Sequence, residues 1–165
     1  VVSESVVPEA VPAEARTHRP DSPPVYLPEG SEDWIDYNGH MSEAFYVLVF
    51  GFATDRVMDH LGLDADYRAS AQASLYTVES HIRYLDEVAL GSQLRVVAHL
   101  VSAGEKKLHL AYEMYADERL VATEEVMTLH VDQAADTVVP FPTTIAEAIE
   151  GIDTHRPEWV GRAIG

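Results

Sequence analysis

Ser42-Glu-Ala-Phe-Tyr-Val-Leu-Val-Phe-Gly-Phe-Ala-Thr-Asp-Arg-Val-Met-Asp-His-Leu-Gly62 reads as a helix with a start and a stop. Ser42 has N-cap chemistry, and Gly62 suits the left-handed residue that closes a helix of about five turns. Phe45, Leu48, Val49, Phe52, Ala53, Val57 and Leu61 follow helical spacing. Tyr46, Val47 and Phe50 add apolar residues on the other faces, so the first half is oily nearly all round. That pattern predicts a helix buried on most sides. The apolar run from Ala44 to Phe50, continued past Gly51 to Ala53, falls well short of the ~20 residues that span a bilayer.

Downstream the period changes to two. Tyr76, Val78, Ile82 and Tyr84 alternate with Thr77, Glu79, His81 and Arg83. Leu94 to Leu100 and Leu108 to Met114 alternate in the same way, and a fourth run covers Leu120 to Val131. Gly91, Gly104 and Asp117-Glu118 mark turns between the runs, which predicts successive antiparallel hairpins. Thr143–Ile149 reads as a short helix. One buried helix followed by four long antiparallel strands, with an opening strand upstream, is the order of an α+β hotdog fold: a curved antiparallel sheet wrapped around one long central helix. The expected organisation is a Pro/Ala/Glu-rich flexible linker over 1–24, the domain over 25–151 and a C-terminal tail over 152–165.

The chain has 165 residues, no cysteine and a formal net charge of −17. One domain with a real core is expected. The lack of cysteine excludes a disulfide framework and a thiolate nucleophile, and fits a reducing cytoplasm. The charge argues against nucleic acid and anionic membrane as partners, since both repel such a field. The opening residues, with Glu4, Glu9 and Glu14, lack the basic-then-apolar pattern of a secretory signal. No Gly-x-Ser-x-Gly elbow or Gly-rich phosphate loop is present. His81, His99 and His109 lie on successive predicted strands, but without a metal-ligand motif they read as ordinary strand histidines, and no metal or separate cofactor is expected.

Immediately before the helix stands Trp34-Ile35-Asp36-Tyr37-Asn38-Gly39-His40-Met41. Asp36 and Asn38 belong to common turn grammar, and a turn is one complete reading of them. The other is chemical. A carboxylate and an imidazole four residues apart precede a helix N-terminus, whose free N–H groups around Glu43 and Ala44 carry partial positive charge. Asp36 can attack a carbonyl or activate a water, the amides can hold an oxyanion, and the apolar helix can wall an acyl pocket.

The segment resembles the Asp-x-x-Gly-His-Val/Met-Asn signature of the 4-hydroxybenzoyl-CoA thioesterase-like hotdog family. Asp36, Gly39, His40 and Met41 match; Ser42 replaces the usual Asn. The likeness continues through Ile82-Arg-Tyr84-Leu85 and covers roughly residues 25–142. Within the family the chain is most similar to the betainyl-CoA thioesterase modules associated with L-carnitine dehydrogenase, in Glu79-Ser-His81-Ile-Arg-Tyr-Leu and Ala122-Thr-Glu124-Glu125 as well as the motif.

The resemblance implies hydrolysis of a small acyl-CoA thioester, betainyl-CoA to glycine betaine and CoA. It makes Asp36 the catalytic carboxylate, with His40 and Glu43 as accompanying candidates. It also implies a homodimer or a dimer of dimers and a possible covalent fusion to a dehydrogenase, with 1–24 as the interdomain linker. Coenzyme A is then part of the substrate. A quaternary ammonium needs aromatic faces and carboxylates, for which Trp34, Tyr37, Tyr46, Tyr76 and Glu79 are candidates, with Asn38 beside them. CoA phosphates need cations, for which Lys106, Lys107 and Arg95 are candidates. A thioesterase for another short or aromatic acyl-CoA, and a non-catalytic acyl-CoA sensor, are the alternative readings.

Overall fold

In the computed structural model, α1 spans Glu43–Leu61 and ends at Gly62 with φ +83°. Residues 25–26 and 31–164 are described, so the expected linker over 1–24 lies outside the described residues. Ser42 enters the helix in an extended conformation but its side chain makes no capping hydrogen bond. The buried face consists of Tyr46, Val49, Phe50, Ala53, Val57, Met58 and Leu61. Leu48, expected inside, is 40% exposed and Val47 is 47% exposed. The expectation of a helix buried on most sides is therefore corrected: a sheet covers one side of a cylinder, and the Val47–Leu48 side is left open in the single chain.

A short helix, α2 (Ala65–Ala71), follows, capped by the Asp64 carboxylate accepting the Tyr67 N–H at 2.8 Å. The sequence pattern had not indicated it. The strands are β1 (Val25–Tyr26), β2 (Ala73–Tyr84), β3 (Leu94–Ala103), β4 (Lys107–Ala116), β5 (Arg119–Asp132) and β6 (Thr137–Val138), and α3 covers Thr143–Glu150. They pair antiparallel in the order β1-β3-β4-β5-β2, with β6 also on β5.

Gly104 and Asp117-Glu118 do sit in hairpin turns, the latter pair with φ of 48° and 67°. The hairpin expected at Gly91 does not form. β2 pairs with β5 instead, and residues 85–93 carry the chain across the sheet to β3. Period-two alternation tells which face a residue takes, not which strand lies beside it.

One face of the sheet carries Val96, Ala98, Leu110, Tyr112, Met114, Ala122 and Val126 into the same core as Val49, Phe50 and Ala53 of α1. Phe50, wholly buried, lies 6.0 Å from the Tyr112 ring; burial of such a side chain contributes about 2–3 kcal/mol. An antiparallel sheet laid round one long helix is the hotdog arrangement. The other face is partly covered by the segment after α3. Val160 and Trp159 pack on Val101 and Ala111, and the Gly161 N–H donates to Glu125 Oε2 at 2.7 Å. Among the described residues no helix is long and apolar enough to cross a membrane.

Candidate functional site

Residues 35–41 fold back on themselves: Ile35 bridges Met41, and the Asp36 N–H donates to the His40 carbonyl at 2.9 Å. Gly39 makes the reversal with φ +84°, where a side chain would be strained. Asp36 Oδ1 accepts the Asn38 N–H at 2.7 Å, while among the described residues Oδ2 has only a long 3.4 Å contact from the Asn38 amide. Asp36 is therefore a turn former with one oxygen weakly engaged, and both readings of the motif have a physical basis. The turn is fastened from the side by the crossing loop, through an Ala89–His40 bridge and a Met41 N–H bond to the Val88 carbonyl at 2.8 Å.

Neither of the two accompanying candidates has a side-chain hydrogen bond to the Asp36 carboxylate. The His40 Nε2 meets Glu87 at 3.1 Å, so the imidazole is directed to the crossing loop and no His40–Asp36 hydrogen bond is made. Glu43 is exposed at the start of α1, and it is its carbonyl that accepts a long bond from the Tyr84 hydroxyl, at 3.5 Å. The Ser42 N–H is taken by the Trp34 carbonyl at 2.9 Å. The next amides, of Glu43 and Ala44, belong to the first turn, have no intrahelical acceptor and lie on exposed residues. Together they give a positive end of about half a charge beside the Asp36 turn.

The expected aromatic cage is divided. Trp34 stacks on Phe45 with ring centres 5.7 Å apart, and Tyr46 is buried in α1's sheet-facing side. Tyr37 is 97% exposed and Asn38 is committed to the Asp36 turn. Tyr76 and Glu79 stand on the opposite face of the sheet. Tyr76 is 44% exposed and accepts a bond from Gln133; Glu79 lines an outer cavity of about 480 Å³ with His81, His109 and Glu125. The reason is the irregularity between Thr77 and Glu79 in the β2–β5 pairing, which interrupts the simple alternation of the sequence. The cationic set is divided too. Lys106 and Lys107 lie at the β3–β4 turn, whereas Arg95 is the second residue of β3, eight residues before Ala103 and roughly 26 Å away along the strand. Arg95 is also already paired with Glu118 at 3.1 Å and lies over the Tyr115 ring at 4.3 Å.

On the helix-facing side of the sheet stands a group that the sequence reading left without a role. Glu124 of β5 is 5% exposed and accepts the Ser80 hydroxyl at 2.5 Å. Burial raises its carboxyl to about 7, with the Ser80 bond opposing. Tyr84, one strand over, forms an edge-on pair with Tyr46 at 5.2 Å, and the charges of both Glu43 and Glu124 act on it. Tyr112, fully buried and raised by burial, is bonded to Thr54 at 2.9 Å and also senses Glu124. The alternation of Ala122, Glu124 and Val126 places a charged residue on a core-facing register, and that was the available signal.

The sequence model of the Thioesterase-like superfamily matches residues 32–149. The chain is 39% identical over 140 residues to a betainyl-CoA thioesterase of Pseudomonas aeruginosa, covering 81% of this chain and 88% of that one. It is 43% identical over 136 residues to an L-carnitine dehydrogenase/betainyl-CoA thioesterase of Agrobacterium fabrum, covering 79% of this chain but 28% of that protein. Among solved structures, a hypothetical protein of Staphylococcus aureus in complex with CoA superposes with a TM-score of 0.79 at 27% identity, over 86% of this chain and 93% of that one.

Proposed function

Since this chain belongs to the thioesterase-like superfamily, we propose that it hydrolyses betainyl-CoA to glycine betaine and CoA. Catalysis is assigned to Asp36 and the start of α1. Asp36 either attacks the thioester carbonyl or takes a proton from the attacking water, and the Glu43 and Ala44 amides receive the oxyanion. The observation that carries this reading is the back-to-back joining of the Asp36 turn to the open N-terminus of α1. Its supports are the Ser42–Trp34 bond and the weakly held Oδ2. The names of the relatives support betainyl-CoA as the acyl donor and carnitine breakdown as the setting.

The working unit in this reading is a homodimer. β2 is one outer strand of the sheet, its far edge unpaired among the described residues, and Val78 at 55% and Tyr84 at 49% exposure make it apolar. The exposed Val47 and Leu48 of α1 give a second copy further apolar surface to cover. The chain matches 28% of the length of the relatives named L-carnitine dehydrogenase/betainyl-CoA thioesterase. Release of free thiol from a panel of acyl-CoAs tests the proposal: betainyl-CoA should turn over best, and binding without thiol release from any of them would make the domain a sensor.

A further inference from the structure

We propose that Glu124 is the counter-charge that recognises the cationic acyl group, receiving the quaternary ammonium against the ring of Tyr84. The proposal rests on the betainyl-CoA reading and names the residue that would enforce it.

A carboxylate taken out of water costs several kcal/mol unless a cation or several donors meet it. Glu124 is 95% removed from solvent by its 5% exposure, and the Ser80 hydroxyl is its hydrogen-bond donor. None of the described ion pairs includes it. By contrast, two half-buried carboxylates on the sheet's other face are met: Glu113 has His99, Trp159 and Tyr115, and Glu125 has His109 and the Gly161 amide. The chain thus meets these two with histidines and leaves Glu124, on the α1 side and more deeply buried, short of positive charge.

The surroundings of that one suit a particular cation. A trimethylammonium group cannot donate hydrogen bonds; ring faces and a carboxylate attract it, and methyl-sized apolar walls enclose it. Tyr84 offers a half-exposed ring, which buried Tyr46 meets at right angles 5.2 Å away, and the charge of Glu124 acts on Tyr84. The same Tyr84 reaches the Glu43 carbonyl, in the first turn of α1. One side chain therefore touches the end of the helix where the oxyanion is assigned and lies in the field of the carboxylate. Ser80 and Tyr84 are both exposed on the outer strand, so the carboxylate lies directly behind residues that a ligand can touch. Held near 7 by burial, Glu124 is ready to ionise when a cation arrives.

The test compares kcat/KM of the full chain and Glu124→Gln on betainyl-CoA and on its uncharged isostere, 3,3-dimethylbutyryl-CoA. Gln keeps the shape and can still accept from Ser80, and activity on the neutral compound reports an intact fold. The expected result is a ten- to hundredfold fall for betainyl-CoA, on the order of one or two good cation contacts, with the neutral compound changed by less than about threefold. An equal fall on both compounds, or a cation preference that survives in Glu124→Gln, overturns the assignment to Glu124 while the substrate reading stands. A wild-type chain without any preference for the cation overturns the substrate reading and this one together. Should the variant fail to fold, a wild-type crystal structure with glycine betaine decides. The nitrogen is expected against Glu124 and within about 6 Å of the Tyr84 ring centre, and a different resting place refutes the proposal.

Discussion

Trp159 donates its indole N–H to Glu113 Oε1 at 3.0 Å, tying the segment beyond α3 to the middle of β4. The same carboxylate accepts from Tyr115 at 2.9 Å and meets His99 at 3.4 Å. The His99 bond lowers the Glu113 carboxyl most; burial opposes it, Trp159 and Tyr115 add to it, and the result is about 2. A carboxyl held below its unfolded value of 4.5 stabilises the fold above that pH, and the contribution drains away as pH falls toward 2. Urea midpoints between pH 6 and 3 should therefore decline for the wild type. They should decline less steeply for Glu113→Gln, the gap being on the order of 1–2 kcal/mol after solvent screening. Parallel slopes would show that the network contributes nothing.

Asp36→Asn should lose on the order of 10²- to 10⁴-fold in turnover and still fold, because an amide oxygen can continue to accept the Asn38 N–H and hold the turn. CoA binding measured by calorimetry should be retained. Near-wild-type turnover would move catalysis to another acid, Glu43 first.

Tyr84→Ala should erode the preference for betainyl-CoA over 3,3-dimethylbutyryl-CoA by roughly three- to thirtyfold, one cation–π contact. Tyr76→Ala should leave that ratio unchanged, since Tyr76 faces the other side of the sheet and bonds to Gln133. The ratio of the two kcat/KM values in each variant is the measurement; an effect at Tyr76 as large as at Tyr84 would contradict the division of the cage.

Val78→Asp should convert a dimer to monomers, by placing a charge on the exposed outer strand, with loss of turnover in step. Light scattering and activity over a dilution series check this together. An active monomer of the wild type would refute the requirement for a second copy.

Much of the fold is legible from local pattern. Gly62 ends α1 where a left-handed residue was required, and Thr143 starts α3 as its spacing indicated. What is illegible is long-range. Nothing near β2 tells it to pass over β3 and pair with β5, since that choice depends on packing around the whole sheet. Helical spacing nominates Leu48 for the core and puts Tyr46 on another face, and only the position of the sheet reverses them. The motif led correctly to a turn at Asp36 but not to His40's partner, because Glu87 arrives from a loop nearly fifty residues downstream. Glu124 was readable in principle, as a charge in register with Ala122 and Val126.

The loop 85–93 has two duties at once: it carries the chain across the sheet, and it clasps the Asp36 turn through Val88 and Ala89. Its position depends on β2 having found β5 and β3 having found β4, pairings of high sequence separation on the β2–β5 side. Such contacts close late, because loop-closure entropy is spent before they reward it. In a refolding experiment the helical signal of α1 should return first and hydrolytic activity last, so the enzyme's own turnover serves as the reporter of completed sheet assembly.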